Sequence, residues 1–191
     1  MESFIPFEQE ELLRSYRQWR GSVGASLEGL RLVTEANEKI AHARGYVFLS
    51  HSNQDKELAE AFAYAMKQKG LQLYVDLFDS TLPKAPSAET ARKLETRIDG
   101  AKFFLLLATK NSVHESVWCP WEIGYAEGVR KDIAIVVTKD KGVTYGAEYL
   151  QMYPVVRFQH ALYTSNKIAK MKCEKDTTTG SLSCEFSSWL E

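Results

Sequence analysis

The sequence predicts an α/β fold of the flavodoxin-like, three-layer type: a five-stranded parallel sheet of order 2-1-3-4-5, preceded by an N-terminal helical extension. Three observations carry this. Short apolar runs rich in β-branched and aromatic residues alternate with stretches of helical periodicity, the pattern of βαβ units with right-handed crossovers. The third run, Lys102–Thr109 (KFFLLLAT), is continuously hydrophobic, as suits a central strand covered on both faces. The chain has 191 residues, 45% hydrophobic and 26% charged, which makes one globular domain of ordinary size plus an extension of about 40 residues.

The first 44 residues read as helical. Leu12, Tyr16, Trp19 and Val23 recur at helical spacing, as do Leu30, Val33 and Ile40. The Gly21 to Gly24 stretch divides them into a helical hairpin or a broken helix. This stripe needs cover, from the main domain or from a second copy of the chain, and the pattern does not choose between them. From Gly45 the periodicity changes. Tyr46–Ser50 (YVFLS) is the first strand; polar residues follow, then a helix over Leu58–Lys69 with Leu58, Ala61, Phe62, Ala65 and Met66 on one face. Gly70 is placed to end that helix in a left-handed cap. Leu71–Val75 is the second strand. A loop from Asp76 to Ala88, containing Pro83 and Pro86, leads to a helix through about Asp99. After the third strand, a helix from about Trp118 to Arg130 precedes the fourth, Ile133–Thr138. Tyr145–Gln151 is a short helix and Pro154–Phe158 a fifth strand, whose leading proline suits a sheet edge. His160–Lys170 reads as helical, and Cys173 to Cys184 as an exposed turn or hairpin before Phe186–Leu190. The organisation is therefore an extension over 1–44, an α/β domain over 45–172 and a tail over 173–191. There is no internal repeat.

Charge and motif content exclude several classes. Twenty-four basic and 25 acidic residues give a net charge of −1, so nothing points to nucleic acid, which requires a basic excess. The longest apolar runs, Phe103–Ala108 and Ile133–Val137, are far below the roughly 20 residues of a membrane span. The acidic start, MESFIPFEQEE, is unlike a signal peptide, and three cysteines (Cys119, Cys173, Cys184) are too few for a disulfide framework. A reduced, cytoplasmic protein with no membrane contact is expected. A dinucleotide glycine fingerprint and a P-loop are both absent, and no Cys or His pair has metal spacing. Cys119, at a helix start, is a weak candidate nucleophile because no histidine falls beside it in the expected topology.

In sheets of this type ligands bind beyond the C-terminal strand ends, near the switch point between the first and third strands. That rule selects Ser50 to Asp55, the loop beginning at Asp76, and Thr109 to Ser112 with the helix start Trp118–Glu122. Most of these hydroxyl and amide residues are equally suited to capping helices. Glu122 stands out. It lies four residues after Trp118 on the same helical face, in the early turns where the helix dipole favours a carboxylate for structural reasons alone. Its functional reading is a carboxylate beside an indole, suited to an electron-poor cationic ring or a developing cation.

These residues resemble a family. Tyr46 to Lys56 (YVFLSHSNQDK) is similar to the opening of TIR (Toll/interleukin-1 receptor) domains, especially bacterial ones. Leu94, Ile98, Ala101 and Phe104–Leu107 resemble the segment leading through the family's third strand. Trp118-x-x-x-Glu122 resembles the WxxxE signature of NAD-cleaving TIR domains. The resemblance runs from about Gly45 to Gln159. It implies that Glu122 is catalytic and that Phe48, Ser50, His51, Ser52, Asp76 and Trp118 border the substrate. NAD+ would then be a substrate, with no bound cofactor and no metal. The nicotinamide–ribose bond would be cut to give nicotinamide plus ADP-ribose or a cyclic ADP-ribose isomer, in bacterial antiphage defence or signalling. A closed, dry site would favour an internal hydroxyl over water as acceptor. The implied partners are other TIR domains or further copies of the chain, and a downstream effector that senses the nucleotide product. The loop after the second strand lacks the glycine that many TIR domains carry. Two alternatives are a non-catalytic TIR adaptor and a nucleoside deoxyribosyltransferase-like enzyme, which shares the layout and a glutamate nucleophile.

Overall fold

The computed structural model describes residues 6–22, 45–68, 71, 73–83, 87–149, 152–158, 171–174 and 183–185. The chain opens with β1 (Phe7–Glu8) and α1 (Gln9–Ser22). The core then runs β2 (Tyr46–Ser50), α2 (Lys56–Gln68), β3 (Leu73–Val75), α3 (Ala88–Gly100), β4 (Ala101–Ala108), α4 (Trp118–Gly128) and β5 (Asp132–Asp140). It ends with β6 (Val143–Tyr145), β7 (Val155–Phe158), β8 (Met171–Glu174) and β9 (Ser183–Glu185). The sheet order is β3-β2-β4-β5-β7-β8-β9. Its first five members are the five expected strands, parallel and in the order 2-1-3-4-5. The final two strands are added antiparallel, and their register places Cys173 opposite Cys184. The anticipated 160–170 helix, the end of the first helix at Gly70, Pro86 and the second half of the N-terminal extension lie outside the described residues.

Alternation along the strands sorts the core into two layers. Val47, Leu49, Phe103, Leu105, Leu107, Ala134 and Val136 face α2 and its Leu58, Phe62 and Met66. Tyr46, Phe48, Phe104, Leu106, Ile133, Ile135 and Val137 face Leu94 and Ile98 of α3 and Cys119 and Ile123 of α4. This parity continues to Ser50, the last residue of β2, and turns it toward α4.

Within the described residues, the first part of the N-terminal stripe packs on the domain itself. Phe7, Leu12 and Leu13 pack on the α2 layer. Trp19 stacks on Tyr64 at 4.3 Å, the Tyr16 hydroxyl donates to Glu60, and Arg17 binds the Glu57 carboxylate through two nitrogens. The two-residue β1 lies parallel to the end of β5, with Phe7 opposite Thr138.

Two local expectations change. The second strand is described over Leu73–Val75; it ends at Val75 as expected, where the chain turns at once into a single tight helical turn at Asp76–Phe78, while Leu71 lies outside the strand. Tyr145, expected in a helix, ends strand β6 instead, because β5 outruns its core neighbours and its last residues are paired by a hairpin across Lys141–Gly142. A short helical turn occupies Ala147–Tyr149, and the remainder of the expected helix, 150–151, lies outside the described residues. Gly146 between them has φ +94°, and a Cβ there would meet the Ala108 Cβ at 2.6 Å and the Ile135 Cγ2 at 3.1 Å. Gly146→Ala is therefore expected to cost about 2–4 kcal/mol, combining left-handed strain with overpacking. A urea midpoint unchanged in that variant would contradict it.

Candidate active site

The site is assembled at the C-terminal ends of β2, β3 and β4, where the switch-point rule places it. The connection from β4 to α4 begins with a wide turn over Asn111–Glu115, closed by the Ser116 N–H on the Asn111 carbonyl at 2.7 Å. Ser116 then caps α4, its hydroxyl accepting from the backbone of Trp118 and Cys119 at 3.2 and 3.1 Å. Pro120 falls in the first turn, where its missing N–H costs nothing. This start sets the phase of the helix, so that Cys119, Glu122, Ile123 and Ala126 form its buried stripe. Glu122 is thus the one acidic member of an inward-facing row and only 4% exposed.

A carboxylate present merely to complement the helix dipole would sit on the wet face. Glu122 instead accepts a hydrogen bond from the Ser50 hydroxyl at 2.5 Å across the layer. Burial, followed by the negative charge of Asp76, pushes its carboxyl up to about 8, against the opposing hydrogen bond from Ser50. Cys119 is a buried thiol pushed up to about 12, first by burial and then by Glu122, which removes it as a thiolate nucleophile.

His51 and Asp76 leave the adjacent strands β2 and β3 side by side. His51 Nδ1 lies 3.2 Å from Asp76 Oδ1, with the imidazole almost fully buried and Asp76 one-quarter exposed. The two are close but not aligned as a hydrogen bond, and both ring nitrogens of His51 are buried without a partner.

The remaining expected site residues divide between core and rim. Phe48 is fully buried, stacked between Tyr74 and Phe104 in the layer that also holds Ile123. The Ser52 hydroxyl caps the turn at Asn53–Asp55, accepting from the Gln54 N–H at 3.3 Å. Trp118 is half-buried at the edge of the same layer. It meets Trp121 edge to face at 5.4 Å, and Trp121 in turn stacks on Tyr125 at 5.9 Å.

Two polar clasps hold the loops that carry these groups. Asp55 accepts from the Thr109 hydroxyl and from Asn111 Nδ2 at 2.6 Å, which ties the first loop to the third. Asp79 is almost completely buried and accepts from the Tyr74 hydroxyl at 2.7 Å, the Thr81 N–H and hydroxyl at 2.9 and 2.6 Å, and Arg97 Nε at 2.8 Å. This second clasp fastens the loop that starts at Asp76 onto α3. Nothing in the sequence marks it. Arg97 reads as an ordinary cation at a helix C-terminus, and Asp79 as one more polar loop residue.

The sequence matches the family model for the TIR domain over residues 47–168. It is 36% identical over 115 residues, 58% of this chain, to a Bacillus cereus (strain MSX-D12) protein named "Probable 3' cyclic ADP-D-ribose synthase ThsB'". The chain spans 59% of the length of that curated relative.

Proposed function

This chain belongs to the TIR domain family, and on that premise we propose that it is an NAD+ nucleosidase in which Glu122 serves the scission of the nicotinamide–ribose bond. The observation that carries the reading is the buried Glu122 carboxyl, held by Ser50 at the open end of the sheet in the helix that begins with Trp118. The chemistry asks for little else. Nicotinamide leaves as a neutral ring, so no general acid is required, and positive charge builds on the ribosyl carbon. A carboxylate in a dry site interacts with that charge far more strongly than one in water. With its carboxyl pushed up to about 8, Glu122 holds a proton near neutrality until a cation arrives. The pyridinium of NAD+ supplies that cation and favours release of the proton as the substrate is seated.

The product is nicotinamide together with ADP-ribose or a cyclic isomer. The burial of Ser50, His51 and Glu122 favours an internal hydroxyl over bulk water, and the name of the Bacillus relative supports the cyclic product. NAD+ is here a substrate rather than a cofactor. Self-association or pairing with other TIR domains, a cytoplasmic location, and a role in antiphage defence or signalling through an effector that senses the product complete the proposal. Among the described residues no helix is long and apolar enough to cross a membrane.

NAD+ consumption by the purified chain over a wide concentration range, with Glu122→Ala alongside and products separated by chromatography, tests this. The parent is expected to consume NAD+, and the variant to lose about 10²–10³-fold in rate. Specific activity that rises with concentration would support assembly of the site between copies. A variant as fast as its parent would remove Glu122 from the chemistry. An inactive parent that captures another TIR domain would favour the adaptor.

A further inference from the structure

Among the described residues, the buried side-chain nitrogens and oxygens left without a hydrogen-bond partner are His51 Nδ1, His51 Nε2 and Asp76 Oδ1. The other buried polar side chains, Ser50, Ser52, Asp79, Thr109, Ser112, Glu122 and Thr138, are all hydrogen-bonded. The unpaired groups are thus confined to one pair, and that pair adjoins Glu122. His51 follows Ser50, which holds the glutamate, and Asp76 is close enough to act on the Glu122 carboxyl by its charge. The register that sets Leu49 opposite Val75 brings the two loop starts out together. Buried polar groups are ordinarily satisfied, and an exception beside a candidate catalytic carboxyl calls for a chemical explanation.

The proton balance of the reaction supplies one. When the C1′–N bond of NAD+ breaks, its electron pair goes to the pyridine nitrogen, which becomes neutral and takes up no proton. When a hydroxyl oxygen then bonds to C1′, that hydroxyl must give up its proton, so each turnover releases one. Glu122 stays ionised while the ribosyl centre is cationic, so a hydroxyl that sheds its proton as the attack begins gives it more readily to a second group. We propose that His51 is that group: its Nε2 takes the proton from the attacking hydroxyl, of water or of the substrate's own ribose, as the C1′–O bond forms. Asp76, 3.2 Å from Nδ1, is a positioning residue that orients the ring and stabilises the imidazolium. The assignment rests on the NAD+ reading above and adds to it the group that governs the second half of the reaction.

Exchange of isotopically labelled nicotinamide into NAD+ separates the two halves, because it breaks and remakes C1′–N without deprotonating any hydroxyl. The full-length chain is given NAD+ with labelled nicotinamide, and label incorporation is measured together with net product. In His51→Gln the ratio of net turnover to exchange is expected to fall by roughly 10²-fold or more, the size of a general-base contribution. Asp76→Asn should lower the same ratio by a smaller factor. Because both rates come from one sample, a loss of folded protein cancels in the ratio. Glu122→Ala should lose both activities together. A His51→Gln ratio within about twofold of the parent's overturns the assignment, and so does a parallel loss of both activities in that variant. A parent with neither activity overturns the NAD+ reading and this inference with it, whereas an active parent with an unchanged ratio overturns the inference alone.

Discussion

Glu122→Gln is expected to make the protein more stable, and to do so only above acidic pH. In the folded chain burial holds the Glu122 carboxyl near 8, whereas an unfolded glutamate titrates near its ordinary 4.5. Between those values folding takes up a proton. The contribution of Glu122 to stability is therefore complete below about pH 4.5 and drains away as pH rises toward 8. At 1.36 kcal/mol per pH unit, the native glutamate has forfeited about 3 kcal/mol by pH 7. Glutamine matches the neutral glutamic acid in shape and still accepts from Ser50, so it escapes this loss. Melting of parent and variant at pH 4.5, 6 and 8 should show coincidence at the lowest pH. The variant should lead by roughly 8–16 °C at pH 8, where the loss reaches about 4 kcal/mol, taking 2–4 °C per kcal/mol for a chain of this size. An equal difference at all three values would mean that Glu122 is ionised in the folded state and paired with something other than Ser50. The same variant should lack NAD+ turnover, so the substitution that most weakens function is the one that most strengthens the fold. That inverse relation is the mark of a carboxyl kept for chemistry at the expense of stability.

The second large effect is at the Asp79 clasp. Asp79→Ala is expected to lower stability by about 3–5 kcal/mol at pH 7, because it leaves the Arg97 guanidinium, only 16% exposed, and the Tyr74 hydroxyl without their acceptor. Burial opposes the charge on Asp79, but the hydrogen bonds from Thr81, Tyr74 and Arg97 outweigh it and hold the carboxyl below its ordinary range. The sign is therefore opposite to that of Glu122. The stabilisation is full above the unfolded value of 3.8 and is lost as pH falls through the lower folded value. Urea titration should show a lower midpoint with the slope unchanged. Adding Arg97→Met should recover part of the loss, since the double variant no longer buries a guanidinium that has lost its carboxylate. Strict additivity of the two would show that the ion pair is not the source. The clasp also anchors the loop that starts at Asp76. Asp79→Ala is expected to loosen the His51–Asp76 pair and to reduce turnover beyond what the folded fraction explains.

How much of this was legible in the sequence depends on the range of the interactions involved. Strand periodicity and the unbroken apolar run of Phe103–Ala108 are local properties, and the five core strands and their order followed from them. Glu122 was visible through Trp118 at helical spacing, and Ser50, His51 and Asp76 through their places at strand ends. The N-terminal stripe was visible as a stripe, but its partner was not. That Trp19 stacks on Tyr64 and Arg17 binds Glu57 depends on a helix docking across 40 residues of chain or more. Tyr145 went to a strand rather than a helix because pairing with Thr138 outweighs a local preference that short segments express only weakly.

The sequence by itself determined which residues share a face in the five core strands and the helix of Leu58 to Met66, because strand alternation and helical periodicity are properties of neighbouring residues. It also determined which loops meet at the open end of the sheet, since topology and handedness leave few alternatives. Only the tertiary structure decided that Glu122 is buried rather than wet, that its carboxyl rises toward 8, and that Asp79 and Arg97 close on each other. Those are matters of desolvation and of charge separation in space. Both depend on how closely separate elements pack, to within an ångström, and no spacing along the chain encodes that distance.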